Sequence, residues 1–185
     1  RCVGLLLYKK GIINEKANFI TGDGEHNIKI INEDNIGVTI SSPKYTSDEI
    51  IVEKLNGFSV DSGAKHFVVE INQEINLDWY VIGKKIRNSH YFSDGTNVNF
   101  FKKINQNTLS VITYEKGVEK IMQSCGSGSV AAAFHMYKKY DLNNDLTIQV
   151  PGGELSISAD SNWETVWLSG SAKLIFHSKL DITKL

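Results

Sequence analysis

The sequence is poor in cysteine, in net charge and in long apolar runs, and each scarcity excludes something. Its two cysteines, Cys2 and Cys125, have no second pair at metal-ligand spacing, which argues against both a disulfide framework and a zinc site. A formal charge of −1 with scattered lysines gives no basic stripe, so neither a nucleic-acid partner nor a membrane surface is indicated. No apolar run approaches the roughly 18 residues that a membrane helix needs, and the opening residues carry no leader pattern. What remains is 185 residues, 41% apolar and 22% charged, the balance of a globular protein with an adequate core. The expectation is a reduced, cytoplasmic protein of mixed strands and helices.

RCVGLLLYKKG reads as a helix with Val3, Leu6 and Leu7 on one face and Gly11 as its stop, but without a cap. Arg1 reads as a cut end. Alternating apolar and polar residues predict strands over 17–21, 26–32, 36–41, 50–60 and 65–71, punctuated by signals such as GDG at 22–24. A helix fits 77–89, and strands fit 96–104 and 108–115. A second helix follows Cys125, and strands over 145–150, 154–159, 163–169 and 172–178 close the chain.

An internal duplication links the two ends. Tyr8-Lys9-Lys10 matches Tyr137-Lys138-Lys139, Gly24-Glu25 matches Gly153-Glu154, and Ile28 matches Ile157, all at an offset of 129. Subtracting that offset from Cys125 lands five residues before Arg1, where a second cysteine is therefore expected. Cys2 matches Ala131 and is expected to be a small buried residue rather than a reactant.

Cys125 heads the stretch CGSGSVAAAFHMYKKY. A thiol followed by Gly-Ser-Gly-Ser at a helix start lies where unpaired backbone N–H groups converge, a place that binds carboxylates and favours a thiolate. The helix is apolar nearly all round until Lys138 and Lys139, so it is expected to be buried and wrapped by sheet. Three chemistries fit. A cysteine hydrolase needs a histidine in reach, and His26, His66, His90, His135 and His177 carry no local signature. Gly126 to Ala131 spells a dinucleotide fingerprint, but no hydrophobic strand precedes it. Proton transfer at an amino-acid α-carbon needs a base on one face and an acid on the other, which two duplicated half-sites would supply without a cofactor.

The segments SGAKHFVVE (62–70), HYFSDGTNVNFFKK (90–103), ITYEKGVEKIMQSCGSGSVAAAF (112–134) and VPGGELSIS (150–158) resemble diaminopimelate epimerase in order and spacing. The resemblance implies an α+β fold of two pseudo-symmetric domains, each a mixed sheet rolled around a central helix. On it, residues 1–42 are the remnant of a first domain, joined by a last strand near 175–185, and residues 43–174 form the second. It further implies that Cys125 is one of two catalytic cysteines and that Gly126 and Ser127 hold the reacting carboxylate. Asn97, Glu115 and Lys116 would contact substrate, with His66 in support. Read without it, Asn97 is a turn residue, Glu115 and Lys116 are a solvated pair, and His66 is a core histidine.

Lys116 stands where the family has an arginine, replacing a planar fork with a point charge. Ala64-Lys65 stands where a polar residue and proline often precede the histidine. The resemblance implies a pyridoxal-phosphate-independent isomerase with no cofactor and no metal, acting on a small amino-acid substrate, and family analogy alone allows a homodimer. Its expected reaction, in lysine and peptidoglycan precursor synthesis, takes LL-diaminopimelate to the meso form, and the 185-residue chain alone is expected to be inactive. The alternatives are a racemase of another amino acid, or a non-catalytic binding relative without the upstream cysteine.

Overall fold

The computed structural model describes residues 1–71, 78–140 and 142–178. Helix α1 (Cys2–Lys9) leads into a meander of β1 (Lys16–Thr21), β2 (Gly24–Asn32) and β3 (Asn35–Ile40). Then come β4 (Lys44–Tyr45), β5 (Ile50–Val52), β6 (Leu55–Asp61), β7 (Lys65–Glu70), α2 (Trp79–Arg87), β8 (Asn97–Asn105), β9 (Thr108–Glu115) and β10 (Lys120–Met122). Helix α3 (Gly126–Tyr140) precedes β11 (Asp145–Val150), β12 (Gly153–Ala159) and β13 (Val166–Ser171). The main path of the sheet runs β1-β2-β3-β13-β12-β11-β9-β8-β7-β6-β4, with β10 on β9 and β5 on β6. It is antiparallel except where β11 meets β9 and β7 meets β8.

The sheet curls around α3, as its apolar circumference predicts. Gly128 to Met136 are all buried, and three successive alanines let strands approach closely. Their neighbours include Val38, Val60, Val68, Phe101, Val111, Ile148, Leu155 and Leu168, drawn from eight strands. Helix α2 covers the other side of β7–β9. Asp78 caps it, its Oδ1 accepting the Tyr80 and Val81 amides at 3.0 and 3.2 Å. Strands β7 to β9 are thus buried on both faces: Val68, Phe101 and Val111 point to α3, whereas Phe67, Val98, Phe100 and Tyr114 join the α2 cluster. No helix among the described residues is long and apolar enough to cross a membrane.

The duplication reappears in three dimensions. Strand β1 pairs with β2 from Lys16↔Lys29 to Thr21↔Gly24, and β11 with β12 from Asp145↔Ser158 to Val150↔Gly153, the same register 129 positions later. The two copies meet where β3 lies antiparallel to β13, with Gly37 opposite Ser169 and Val38 opposite Leu168.

Several expectations need correction. The strand predicted over 50–60 is a hairpin, because Glu53 and Lys54 take φ of 52° and 64° and reverse the chain. The strand predicted from 163 starts at Val166, since the Asp160 carboxylate captures the Glu164 and Thr165 amides at 2.8 and 2.9 Å and keeps them from the ladder. No strand forms over 172–178, where Leu174, Ile175 and Phe176 are exposed; 179–185 lie outside the described residues, as does residue 77 of the helix predicted over 77–89. In α1 the buried residues are Gly4 and Leu5, while Val3 and Leu6 are exposed. Gly4 lies directly on Ile28, where a β-carbon would come within 2.9 Å of a methyl group, and that contact sets the buried face. Turned away from it, Cys2 is exposed rather than buried.

Candidate active site

Cys125 is the residue before the first turn of α3, where a helix leaves its leading amides without internal partners. Its carbonyl receives the Ser129 amide at 3.0 Å and the Ser129 hydroxyl at 2.8 Å. The amides of Gly126 and Ser127 make no backbone hydrogen bond among the described residues. Glycine at 126 lets the helix start rest on β13, because a β-carbon there would fall 2.7 Å from Leu168 Cδ2. The half-buried thiol lies 3.7 Å from Ser127 Oγ.

Burial pushes the Cys125 thiol above its ordinary pKa, and the Glu115 charge adds to that; the Gly128 amide and the Ser127 hydroxyl pull the other way. The lowering expected from a helix N-terminus is therefore overturned. Desolvation of a sulfur anion outweighs the Gly128 amide and the Ser127 hydroxyl here.

Beneath the helix start lies a polar floor. His66, Asn99 and Thr113 stand on neighbouring strands β7, β8 and β9, at the α3-facing positions otherwise held by Val68, Phe101 and Val111. All three are buried. His66 Nε2 is 2.9 Å from Ser127 Oγ, Asn99 Nδ2 is 2.9 Å from His66 Nδ1, and the Thr113 hydroxyl donates to Asn99 Oδ1 at 2.9 Å. Ser62, also buried, donates to the Ser127 carbonyl at 2.9 Å. Burial pulls the His66 imidazole down to about 4, with Asp61 acting against it. His135, a buried histidine on α3, instead meets Tyr45.

The remaining expected residues gather at the strand ends on the same side. Asn97 Nδ2 donates to the Lys65 carbonyl at 3.0 Å, and its Oδ1 receives the Lys116 amide at 2.9 Å, so its side chain fastens the turn after β9 to β7. That turn closes through Glu119, whose amide donates to the Glu115 carbonyl at 2.8 Å and whose carboxylate accepts Gly117 N–H and Arg87 Nε at 3.0 and 3.1 Å. Glu115 is half-buried and acts on the thiol through its charge. Lys116 is exposed, and its ammonium makes no ion pair among the described residues. Ala64 is half-buried beside the Lys65–Asp94 ion pair of 3.2 Å. Sequence reasoning missed Ser62, Asn99 and Thr113. The available signal was period-2 parity, which puts Asn99 and Thr113 on the same face as buried valines and phenylalanine.

Residues 58–175 match the family model described as diaminopimelate epimerase. A diaminopimelate epimerase of Flavobacterium psychrophilum is 33% identical over 185 residues, covering 97% of this chain and 70% of that protein. One from Thermotoga maritima is 32% identical over 174 residues, covering 94% and 69%. Among solved structures, a probable proline racemase from Agrobacterium radiobacter, with bound carbonate, superposes with a TM-score of 0.72 at 13% identity, over 98% of this chain and 66% of that one. At that identity the likeness speaks for the fold alone. The chain thus spans about two thirds of the length of its relatives, and by profile and identity it belongs to the diaminopimelate epimerase family.

Proposed function

We propose that this chain carries one half of a two-thiol proton-transfer site and takes LL-diaminopimelate to meso-diaminopimelate without a cofactor. The observation that carries the reading is a thiol at a helix mouth whose adjoining amides, from Gly126 and Ser127, make no backbone bond among the described residues. In the reaction one cysteine, as thiolate, removes the α-proton. Charge develops on the substrate carboxylate and is met by those two amides, and the opposite cysteine, as thiol, delivers a proton to the other face. Cys125, raised above its ordinary pKa, suits the resting thiol of the pair. Its partner is expected from chain preceding Arg1, in keeping with the two-thirds coverage of the relatives and the 129-residue register. Glu115 and Lys116 flank the entry, Asn97 holds that rim in place, and His66 supports Ser127. The setting is the cytoplasm, with a free amino acid as substrate.

A second reading, racemisation of a different amino acid, draws on the exposed Lys116 ammonium and on Ala64 at the far rim. Incubating the gene-encoded protein in heavy water with LL-diaminopimelate, and separately with other L-amino acids, tests both. Deuterium at the α-carbon of diaminopimelate alone is the expected result. Exchange only with another amino acid overturns the substrate, and inversion to meso-diaminopimelate that survives Cys125→Ala overturns the mechanism.

A further inference from the structure

We propose that Asn99 is a positioning residue for Cys125: held by Thr113, its amide fixes the Nε2–H tautomer of His66 and thereby commits the Ser127 hydroxyl hydrogen to the Cys125 sulfur. The inference rests on the proton-transfer reading above and deepens it.

The argument is one of counting donors. A neutral imidazole has one N–H and one lone pair. The Thr113 hydroxyl donates to Asn99 Oδ1, which turns the amide so that Nδ2, a pure donor, faces His66 Nδ1 at 2.9 Å. Nδ1 must then be the lone-pair nitrogen, and the ring proton sits on Nε2, 2.9 Å from Ser127 Oγ. Having accepted that hydrogen bond, the serine hydroxyl has a single hydrogen left to give. The sulfur of Cys125 lies 3.7 Å away and is its acceptor. Were the tautomer reversed, Ser127 would donate to the ring and turn oxygen lone pairs toward the sulfur, disfavouring its anion.

Burial makes the arrangement exclusive. His66 and Asn99 are fully buried and Thr113 nearly so, so solvent does not replace these three partners of one another, whereas Ser127 and Cys125 are half-buried. With its imidazole held near 4, His66 stays neutral at the pH where a thiol titrates, which the donor count requires. Asp61 is the charge acting on His66, and Glu115 the charge acting on Cys125. Gly128 allows the close approach, because a β-carbon there would strike Asn99 Oδ1.

The first test needs no mutation. In the ¹⁵N-labelled protein, long-range proton–nitrogen correlations of His66 should show Nδ1 as the unprotonated nitrogen and Nε2 as the protonated one; the opposite assignment, or an imidazolium at neutral pH, overturns the proposal. The second is a cycle read by the Cys125 thiol titration. Asn99→Asp offers Nδ1 only acceptors, moves the ring proton there, and should raise the thiol midpoint by about one pH unit through loss of the serine hydrogen bond. In a Ser127→Ala background the same substitution should retain only the effect of its added charge, a smaller rise. Equal rises in both backgrounds would show that Asn99 does not act through Ser127. Deuterium exchange into substrate does not depend on this outcome, so failure of the relay and failure of the epimerase reading are separately visible.

Discussion

The Tyr45 hydroxyl lies 2.8 Å from His135 Nδ1, bonding the short outer strand β4 to the middle of helix α3 across 90 residues of chain. His135 is buried among Tyr45, Phe58 and Phe101, and its imidazole is drawn down to about 4, first by burial and then by the Lys139 charge.

A histidine whose folded pKa lies below its unfolded value favours folding while it is neutral. Its contribution is complete above about 6.5 and disappears as the pH falls toward 4. A drop from 6.5 to about 4 corresponds to about 3 kcal/mol. Urea denaturation should therefore give a flat stability above neutrality and a decline between pH 6.5 and 4. His135→Phe should remove part of the slope and leave the share of His66, which is depressed to the same degree. An unchanged slope in that variant would refute the assignment.

The Cys125 thiol should titrate above the ordinary range. In a Cys2→Ser background, iodoacetamide alkylation should rise with pH to a midpoint higher than that of a free thiol, because desolvation dominates. Ser127→Ala, which removes a hydrogen-bond donor, should shift it further up. A midpoint below the free value would show that the helix N-terminus governs the sulfur after all.

Gly24 and Gly153 hold the same place in the two copies, at φ of 129° and 131°, and among the described residues nothing lies within 4 Å of where a β-carbon would stand. Any penalty for alanine there is pure backbone strain. Gly24→Ala and Gly153→Ala should each cost about 1 kcal/mol or more in urea denaturation, and the double variant should be additive. A cost at only one of them would mean that the two turns are not equivalent.

At the helix start two glycines should behave differently. Gly128→Ala drives a β-carbon onto Asn99 Oδ1 and within 3.3 Å of Cys125 Sγ, at a cost of about 1–3 kcal/mol and with a shifted thiol titration. Gly126→Ala meets only the end of a leucine side chain, and the roughly 1 kcal/mol gained in helix propensity offsets much of that. Equal losses at both positions would contradict this division.

How much of this was legible beforehand varied with the physics at each place. The strands of the two meanders follow their alternation, and the Tyr-Lys-Lys and Gly-Glu landmarks carry the true register. The Glu53-Lys54 turn was hidden because ordinary side chains occupy a conformation normally announced by glycine or asparagine. In α1 nearly every residue is apolar, so no stripe identifies the buried face, and contact with Ile28 decides it. Cys125 and its glycines stand out in one dimension. The residues that orient Ser127 are single polar letters inside hydrophobic strands, and they become a network only when three strands align.

The seam between the copies restricts how the molecule can move. Six facing residue pairs join β3 to β13, so neither meander can swing away from the other without tearing a continuous ladder. The helix start that carries the sulfur rests on β13 through Gly126 and Leu168, so the thiol is anchored on the very strand that stitches the copies together.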